Sequence, residues 1–77
     1  MTFEQLRIFL TVVKHLHFTR AAEALYITQP AVSAAIQNLE AEYKVKLFHR
    51  IGRHIEITQA GRLLEIEAQK ILDRVRI

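Results

Sequence analysis

Apolar residues recur at helical spacing along most of this chain and alternate with polar ones in one stretch, a pattern that predicts helices interrupted by a short hairpin. Thr2 followed three positions later by Gln5 has capping-box spacing, and Met1 and Leu6 sit at the two ends of a hydrophobic staple, so the first helix starts here. Leu6, Phe9, Leu10, Val13 and Leu16 form its stripe, Arg7, Thr11 and Lys14 fall outside it, and its end is expected between His15 and His17. A shorter helix follows in Arg20-Ala21-Ala22-Glu23-Ala24-Leu25, where alanine supplies helix propensity and Thr19 is the candidate cap. Tyr26-Ile27 breaks the pattern. Thr28 then restarts it as an N-cap, because Pro30 is tolerated only in a first turn, where its missing N–H costs nothing. The buried stripe of this third helix reads Val32, Ile36, Leu39 and Tyr43, which leaves Gln29, Ser33, Ala34 and Gln37 on the other face. Glu40 and Lys44 stand at ion-pair spacing near its end.

After Lys44 the period changes. Leu47-Phe48-His49-Arg50 and Ile55-Glu56-Ile57 read as two short strands around Ile51-Gly52-Arg53-His54, with Gly52 as the turn signal. Thr58 caps a last helix expected to run to Ile77, with Leu64, Ala68, Ile71 and Val75 along one seam and Leu63 and Leu72 beside it. That helix is still amphipathic at its last residue, which suggests an excised fragment or a segment that packs against a partner.

Composition narrows the class. A length of 77 residues holds one small domain and excludes large enzyme folds, while 51% hydrophobic and 25% charged residues are the proportions of a folded chain. With no cysteine there is no disulfide framework, no Cys-based zinc site and no thiol nucleophile, and a reducing cytoplasm fits. No apolar run is long enough for a membrane span, and Met1-Thr2-Phe3-Glu4 lacks the order of a signal peptide. The net charge of +3 is unevenly placed: Lys44, Lys46, Arg50 and Arg53 fall with His49 and His54 in a segment without an acid, against seven basic and eight acidic residues elsewhere. A nearly neutral body with one basic segment points to a local polyanion contact.

A short helix, a tight turn and a second helix with a small, polar outer face make a helix-turn-helix. A helix entering a major groove must bring its first turns close to base edges, so that face should carry amides and hydroxyls rather than bulky apolar groups. Gln29, Ser33 and Gln37 meet the requirement, and Ala31 and Ala34 allow close approach or contact with a thymine methyl. Taken alone, the same face fits an ordinary surface helix equally well, and a basic run alone is usually a solvated face. The two in succession are specific, since a hairpin with Arg53 at its tip and Arg50 at its base suits a minor groove and a phosphate, respectively. The four histidines do not make a metal site, because His15 and His17 lie near a helix end, His49 and His54 lie on opposite limbs of the hairpin, and no carboxylate or cysteine completes a tetrahedral set. Catalysis has no support either: Ser33 has no histidine at helical spacing, and no carboxylate pair separates acid from base roles. The chain reads as a non-enzyme without cofactor or metal.

Phe18-Thr19-Arg20-Ala21-Ala22-Glu23-Ala24-Leu25, Thr28-Gln29-Pro30-Ala31-Val32-Ser33, Leu39-Glu40, Leu47-Phe48-His49-Arg50, Arg53 and Ile57-Thr58-Gln59-Ala60-Gly61 occur in the order and spacing of the LysR-type transcriptional regulators, which the chain resembles over nearly its whole length. The resemblance implies a mostly α winged helix-turn-helix of three helices and a two-stranded wing over residues 1–58, followed by a long linker helix over 59–77 that dimerises the protein. It implies DNA contacts from Gln29, Pro30, Ala31, Ser33, Arg50 and Arg53, to which the exposed face adds Thr28, Ala34 and Gln37. The expected partner is double-stranded DNA carrying an inverted-repeat operator, bound by a homodimer joined through Leu64, Ala68, Ile71 and Val75. The resemblance also implies a longer parent protein, with higher assembly and a small-molecule effector expected through an effector-binding domain outside these residues. Three departures from the family pattern stand out. Lys44 replaces the glycine that usually closes the recognition helix, at about 1 kcal/mol if the left-handed cap is kept. Ala34 and Ala35 replace a polar residue and a glutamine, so base preference does not transfer, and His17 replaces a serine before Phe18, which changes the cap of the second helix. The rival readings are a protein-interaction module on the same fold and another family of winged-helix regulators.

Overall fold

The computed structural model describes residues 1–75, in the order α1 (Phe3–His15), α2 (Phe18–Leu25), α3 (Gln29–Tyr43), β1 (Phe48–Ile51), β2 (His54–Ile57) and α4 (Gln59–Val75). This is a mostly helical winged helix-turn-helix followed by a further long helix. Ile77, the expected end of the last helix, lies outside the described residues.

Capping sets where the helices begin. Thr2 Oγ1 accepts the Gln5 N–H while Gln5 Oε1 accepts the Thr2 N–H, both at 3.0 Å, which is the reciprocal capping box. The cap of α2 is His17 rather than Thr19: the His17 Nδ1 accepts the Arg20 N–H at 3.1 Å, so the imidazole takes over the acceptor role of a serine hydroxyl and α2 starts at Phe18. Thr28 Oγ1 accepts the Ala31 N–H at 3.2 Å, and Pro30 sits in the first turn of α3.

Each of the first three helices ends in a non-glycine residue with left-handed backbone: Leu16 at φ 49°, Tyr26 at φ 58° and Lys44 at φ 56°. Lys44 therefore keeps the conformation glycine favours, and its N–H bonds the Glu40 carbonyl. Among the described residues, Glu40 makes no ion pair with Lys44. Its carboxylate instead accepts the Leu47 N–H at 2.9 Å, tying the end of α3 to the start of the wing.

Phe9, Val12, Val32, Leu39 and Leu47 are fully buried at the centre. The stripe of α1 is broader than the sequence predicts, because Ile8 and Val12 are buried as well as Leu6 and Phe9, while Leu10 and Val13 are half-buried and Leu16 is exposed. The cause is packing on several sides: α1 touches α2, α3 and α4. On α3, Ala35 is buried with Val32, Ile36 and Leu39, whereas Tyr43, expected inside, is 45% exposed on the rim of a shallow apolar groove with Val45 and Leu63.

The strands pair antiparallel, Phe48 opposite Ile57 and Ile51 opposite His54, which leaves Gly52 and Arg53 as a two-residue turn. Gly52 has φ +61° and Arg53 does not have positive φ, the arrangement of a type II′ hairpin with glycine at its first central position. The wing is joined to α4 through Thr58, whose N–H bonds the Leu47 carbonyl at 3.0 Å, whose hydroxyl bonds the Lys46 carbonyl at 2.6 Å, and whose Oγ1 accepts the Gly61 N–H at 3.0 Å. Gly61 is required by contact: a Cβ there would stand 2.5 Å from the Leu47 carbonyl oxygen and 2.6 Å from the Ile57 side chain.

Candidate nucleic-acid interface

The outward face of α3 presents Gln29, Pro30, Ala31, Ala34 and Gln37, all exposed, with Thr28 at its cap and Ser33 half-buried between them. No apolar side chain larger than proline stands on the first two turns of this face, so a surface can approach the helix backbone closely. Gln29 and Ser33 are one turn apart, and the Gln29 amide donates a hydrogen bond to the Ser33 hydroxyl oxygen. That bond aligns the amide along the helix and leaves the Ser33 O–H and the Gln29 carbonyl oxygen free to meet a second hydrogen-bonding group.

Beside α3 stands the wing. Arg53 is exposed at its turn, and Arg50 lies on β1 opposite Ile55. Strand alternation puts Phe48 and Arg50 on one face, so Arg50 turns toward the helices, and its guanidinium carbon stands 5.1 Å from the centre of the Phe18 ring. His49 and Glu56 are cross-strand partners on the outer face. Among the described residues, no acid forms a salt bridge with Lys44, Lys46, Arg50 or Arg53. No cluster of metal-ligating side chains occurs among them either.

The expected dimer seam on α4 is divided. Ala68 is fully buried inside this chain, whereas Leu64 is half-buried, packed against the domain core and lining the apolar groove beside Tyr43 and Leu63. The same stripe continues past them through Ile71, half-buried, to Val75, which is 52% exposed. A second apolar pair, Leu63 and Ile66, is exposed on another side of the helix. The sequence pattern does not separate these surfaces, because an apolar stripe looks the same whether its own domain or another chain covers it. Phe18, which shares a cleft with Lys46 and Arg50, is not legible as a site residue: it is distant from Arg50 in sequence, and only packing brings them together.

Residues 3–62 match the family described as "Bacterial regulatory helix-turn-helix protein, lysR family". The chain is 48% identical over 71 residues to a probable RuBisCO transcriptional regulator of Nostoc sp. (strain PCC 7120 / SAG 25.82 / UTEX 2576), a match that covers 92% of this chain and 21% of that regulator. It thus spans about a fifth of the length of that relative. Two solved structures are similar throughout: the CbnR_DBD-DNA complex, at TM-score 0.92 and 36% identity over 97% of this chain and 86% of that one, and the BenM_DBD/catB site 1 DNA complex, at TM-score 0.92 and 40% identity over 97% and 83%. With that profile covering most of its length and the fold shared with those domains, the chain belongs to the lysR family of bacterial regulatory helix-turn-helix proteins.

Proposed function

We propose that this domain binds duplex DNA in a sequence-specific way as the promoter-recognition part of a longer LysR-type regulator, with α3 in a major groove and the wing in the neighbouring minor groove. The observation that carries this reading is the pairing of a small, polar helix face with an adjoining hairpin whose cations have no acidic partner among the described residues. The CbnR and BenM domains, alike in fold, are complexes with DNA, which supports the same use here. In this reading Gln29 and Ser33 reach base edges, Thr28, Pro30, Ala31, Ala34 and Gln37 line the contact, Arg53 enters the minor groove and Arg50 meets phosphate. Two copies bind an inverted repeat, joined by the distal part of α4 at Ile71 and Val75. Effector binding and higher assembly belong to the rest of the regulator, and the cytoplasm is the compartment that suits it. No helix among the described residues is long and apolar enough to cross a membrane.

Selection of bound sites from a random duplex library tests the proposal, with affinity then measured against salt. The expected result is a symmetric site bound with a steep salt dependence. On that site Gln29→Ala should relax one base position by about 1–3 kcal/mol. Arg53→Ala should cost more on A·T-rich flanks than on G·C-rich ones, since a narrow A·T minor groove is the more negative. Recovery of no preferred sequence, with equal weakening of selected and random duplexes by Gln29→Ala, overturns base readout by α3.

A further inference from the structure

A helix in a major groove and a hairpin in the next minor groove have one thing necessarily between them, the sugar-phosphate strand that separates the grooves. In this fold the space between α3 and the wing is a cleft of about 350 Å³. Ser33, Ile36 and Gln37 line it from α3 and Phe48, His49 and Arg50 from β1, together with Phe18 and Lys46. Glu40 also borders it, with one carboxylate oxygen engaged by the Leu47 N–H. Its lysine and arginine are Lys46 and Arg50, with His49 beside them, and neither Lys46 nor Arg50 is paired with an acid among the described residues.

Arginine in solvent has many rotamers, and a phosphate contact has to order it. Here the ordering is already built. Phe9 and Phe48 stand 5.6 Å apart in the core, Phe18 meets Phe48 edge-on at 6.2 Å and 84°, and the Arg50 guanidinium lies 5.1 Å from the Phe18 ring centre. A line of aromatic contacts thus runs from the buried centre to an exposed cation. Phe18 is fixed at its other end too, as the first residue of α2, behind the His17 cap. A guanidinium on an aromatic face uses the face of its own plane and keeps its N–H edge free, and that edge is the part that recognises phosphate oxygens.

We infer that Phe18 is a positioning residue for DNA binding: its ring holds the Arg50 guanidinium edge-outward in the cleft, toward the phosphates of the strand between the two grooves. The inference rests on the DNA-binding function proposed above and adds to it a residue that acts through Arg50.

The test measures affinity of the 77-residue chain for its selected duplex over a range of salt concentrations, with thermal melts to confirm that each variant is folded at the assay temperature. Arg50→Ala should lower the salt slope by about 0.9. Phe18→Leu, which removes the ring and keeps an apolar side chain, should weaken binding about 2–5-fold, the range of a cation–π contact at an exposed site. The double variant should bind no more weakly than Arg50→Ala alone, and Phe18→Tyr should bind as the parent does. Arg50→Lys supplies a variant that leaves the core intact: it keeps the charge and loses the stacked plane, so it should weaken binding in the parent and be neutral beside Phe18→Leu. Losses that add in the double variant, or a lysine at position 50 that binds as well as arginine, overturn the positioning role. An Arg50→Ala variant with unchanged affinity and slope overturns it as well, by removing the phosphate contact it serves. Absence of salt-dependent duplex binding by the parent chain is a different failure, and it falls on the proposed function itself.

Discussion

Helices α3 and α4 are of similar length, 15 and 17 residues, yet they spend their side chains in opposite ways. On α3 the large apolar residues Val32, Ile36 and Leu39 point inward, and the outward face carries amides, alanine and a proline. On α4 only Gly61 and Ala68 are fully enclosed, and the large side chains Leu63, Ile66 and Val75 are exposed. A polar face that permits close approach suits a hydrated, charged surface such as DNA. An apolar face on a helix whose remaining surface carries Arg62–Glu65 and Glu67–Lys70 ion pairs suits another protein surface, because burial there gains the hydrophobic term that solvent withholds. The two helices thus offer surfaces of opposite chemistry.

The largest effect expected from breaking that contrast is on assembly. Ile71→Lys with Val75→Lys removes two apolar side chains from the distal seam, and at about 1.5–3 kcal/mol for each burial lost, dimerisation should weaken by roughly 3 kcal/mol or more. Sedimentation of the variant should show monomers at concentrations where the parent is dimeric. Leu63→Lys with Ile66→Lys is the control, because at 100° per residue those positions lie well away from the stripe. Monomers from the control and dimers from the first variant would move the interface to the outer face of α4.

Next comes the joint between the halves. Gly61→Ala places a methyl group against the Leu47 carbonyl oxygen and the Ile57 side chain, and overpacking of this kind costs about 1–3 kcal/mol. Because the clash lies where α4 meets the wing, hydrogen exchange should accelerate first in β2 and the first turn of α4. Uniform acceleration through α2 and α3 at the same stability would mean that the joint is not a local unit.

Much of the recognition side is legible in the amino-acid sequence, because its signals are local. Thr28 and Pro30 mark the start of α3 by what their own backbone and side chain permit, and Gly52 marks the turn in the same way. What the sequence hides depends on distant packing. Ile8 and Val12 fall off a single stripe and are buried because α1 is covered on several sides, and Glu40 serves the Leu47 N–H rather than Lys44 because the chain folds back there. Ala68 reads as part of an outward seam and is instead closed by its own domain, and the placement of the Arg50 guanidinium over the Phe18 ring joins two segments that share no local pattern. The cap of α2 falls between the two cases, since histidine is an uncommon cap and only the geometry shows its Nδ1 accepting from Arg20.

That cap gives a smaller prediction, confined to the recognition side. His17→Ala leaves the Arg20 N–H without its acceptor and should cost about 1 kcal/mol, the usual value of an N-cap, whereas His17→Ser should restore most of it through the hydroxyl. Chemical denaturation distinguishes them. Equal stability of the alanine and serine variants would show that the imidazole contributes through something other than its cap bond.

The smallest effect tests whether the end of α3 matters to binding or only to folding. Lys44 holds φ 56°, a conformation that costs a residue with a Cβ about 1 kcal/mol relative to glycine. Lys44→Gly removes that strain but adds freedom to the unfolded chain, an opposing term of about 0.4–1 kcal/mol, so the net stabilisation should lie between zero and about 0.6 kcal/mol. The charge is a separate matter. Lys44 belongs to the basic segment but lies at the far end of α3 from Gln29, outside the cleft between α3 and the wing. Its loss should therefore leave the salt slope of DNA binding nearly unchanged, in contrast to the drop expected for Arg50→Ala. Lys44→Asn separates the contributions further, since asparagine tolerates the left-handed conformation while constraining the unfolded chain more than glycine does. It should match or exceed the glycine variant in stability and bind DNA equally well. A drop in slope of about one unit for both variants would place Lys44 on a phosphate and extend the DNA surface beyond the cleft to the C-terminal end of α3.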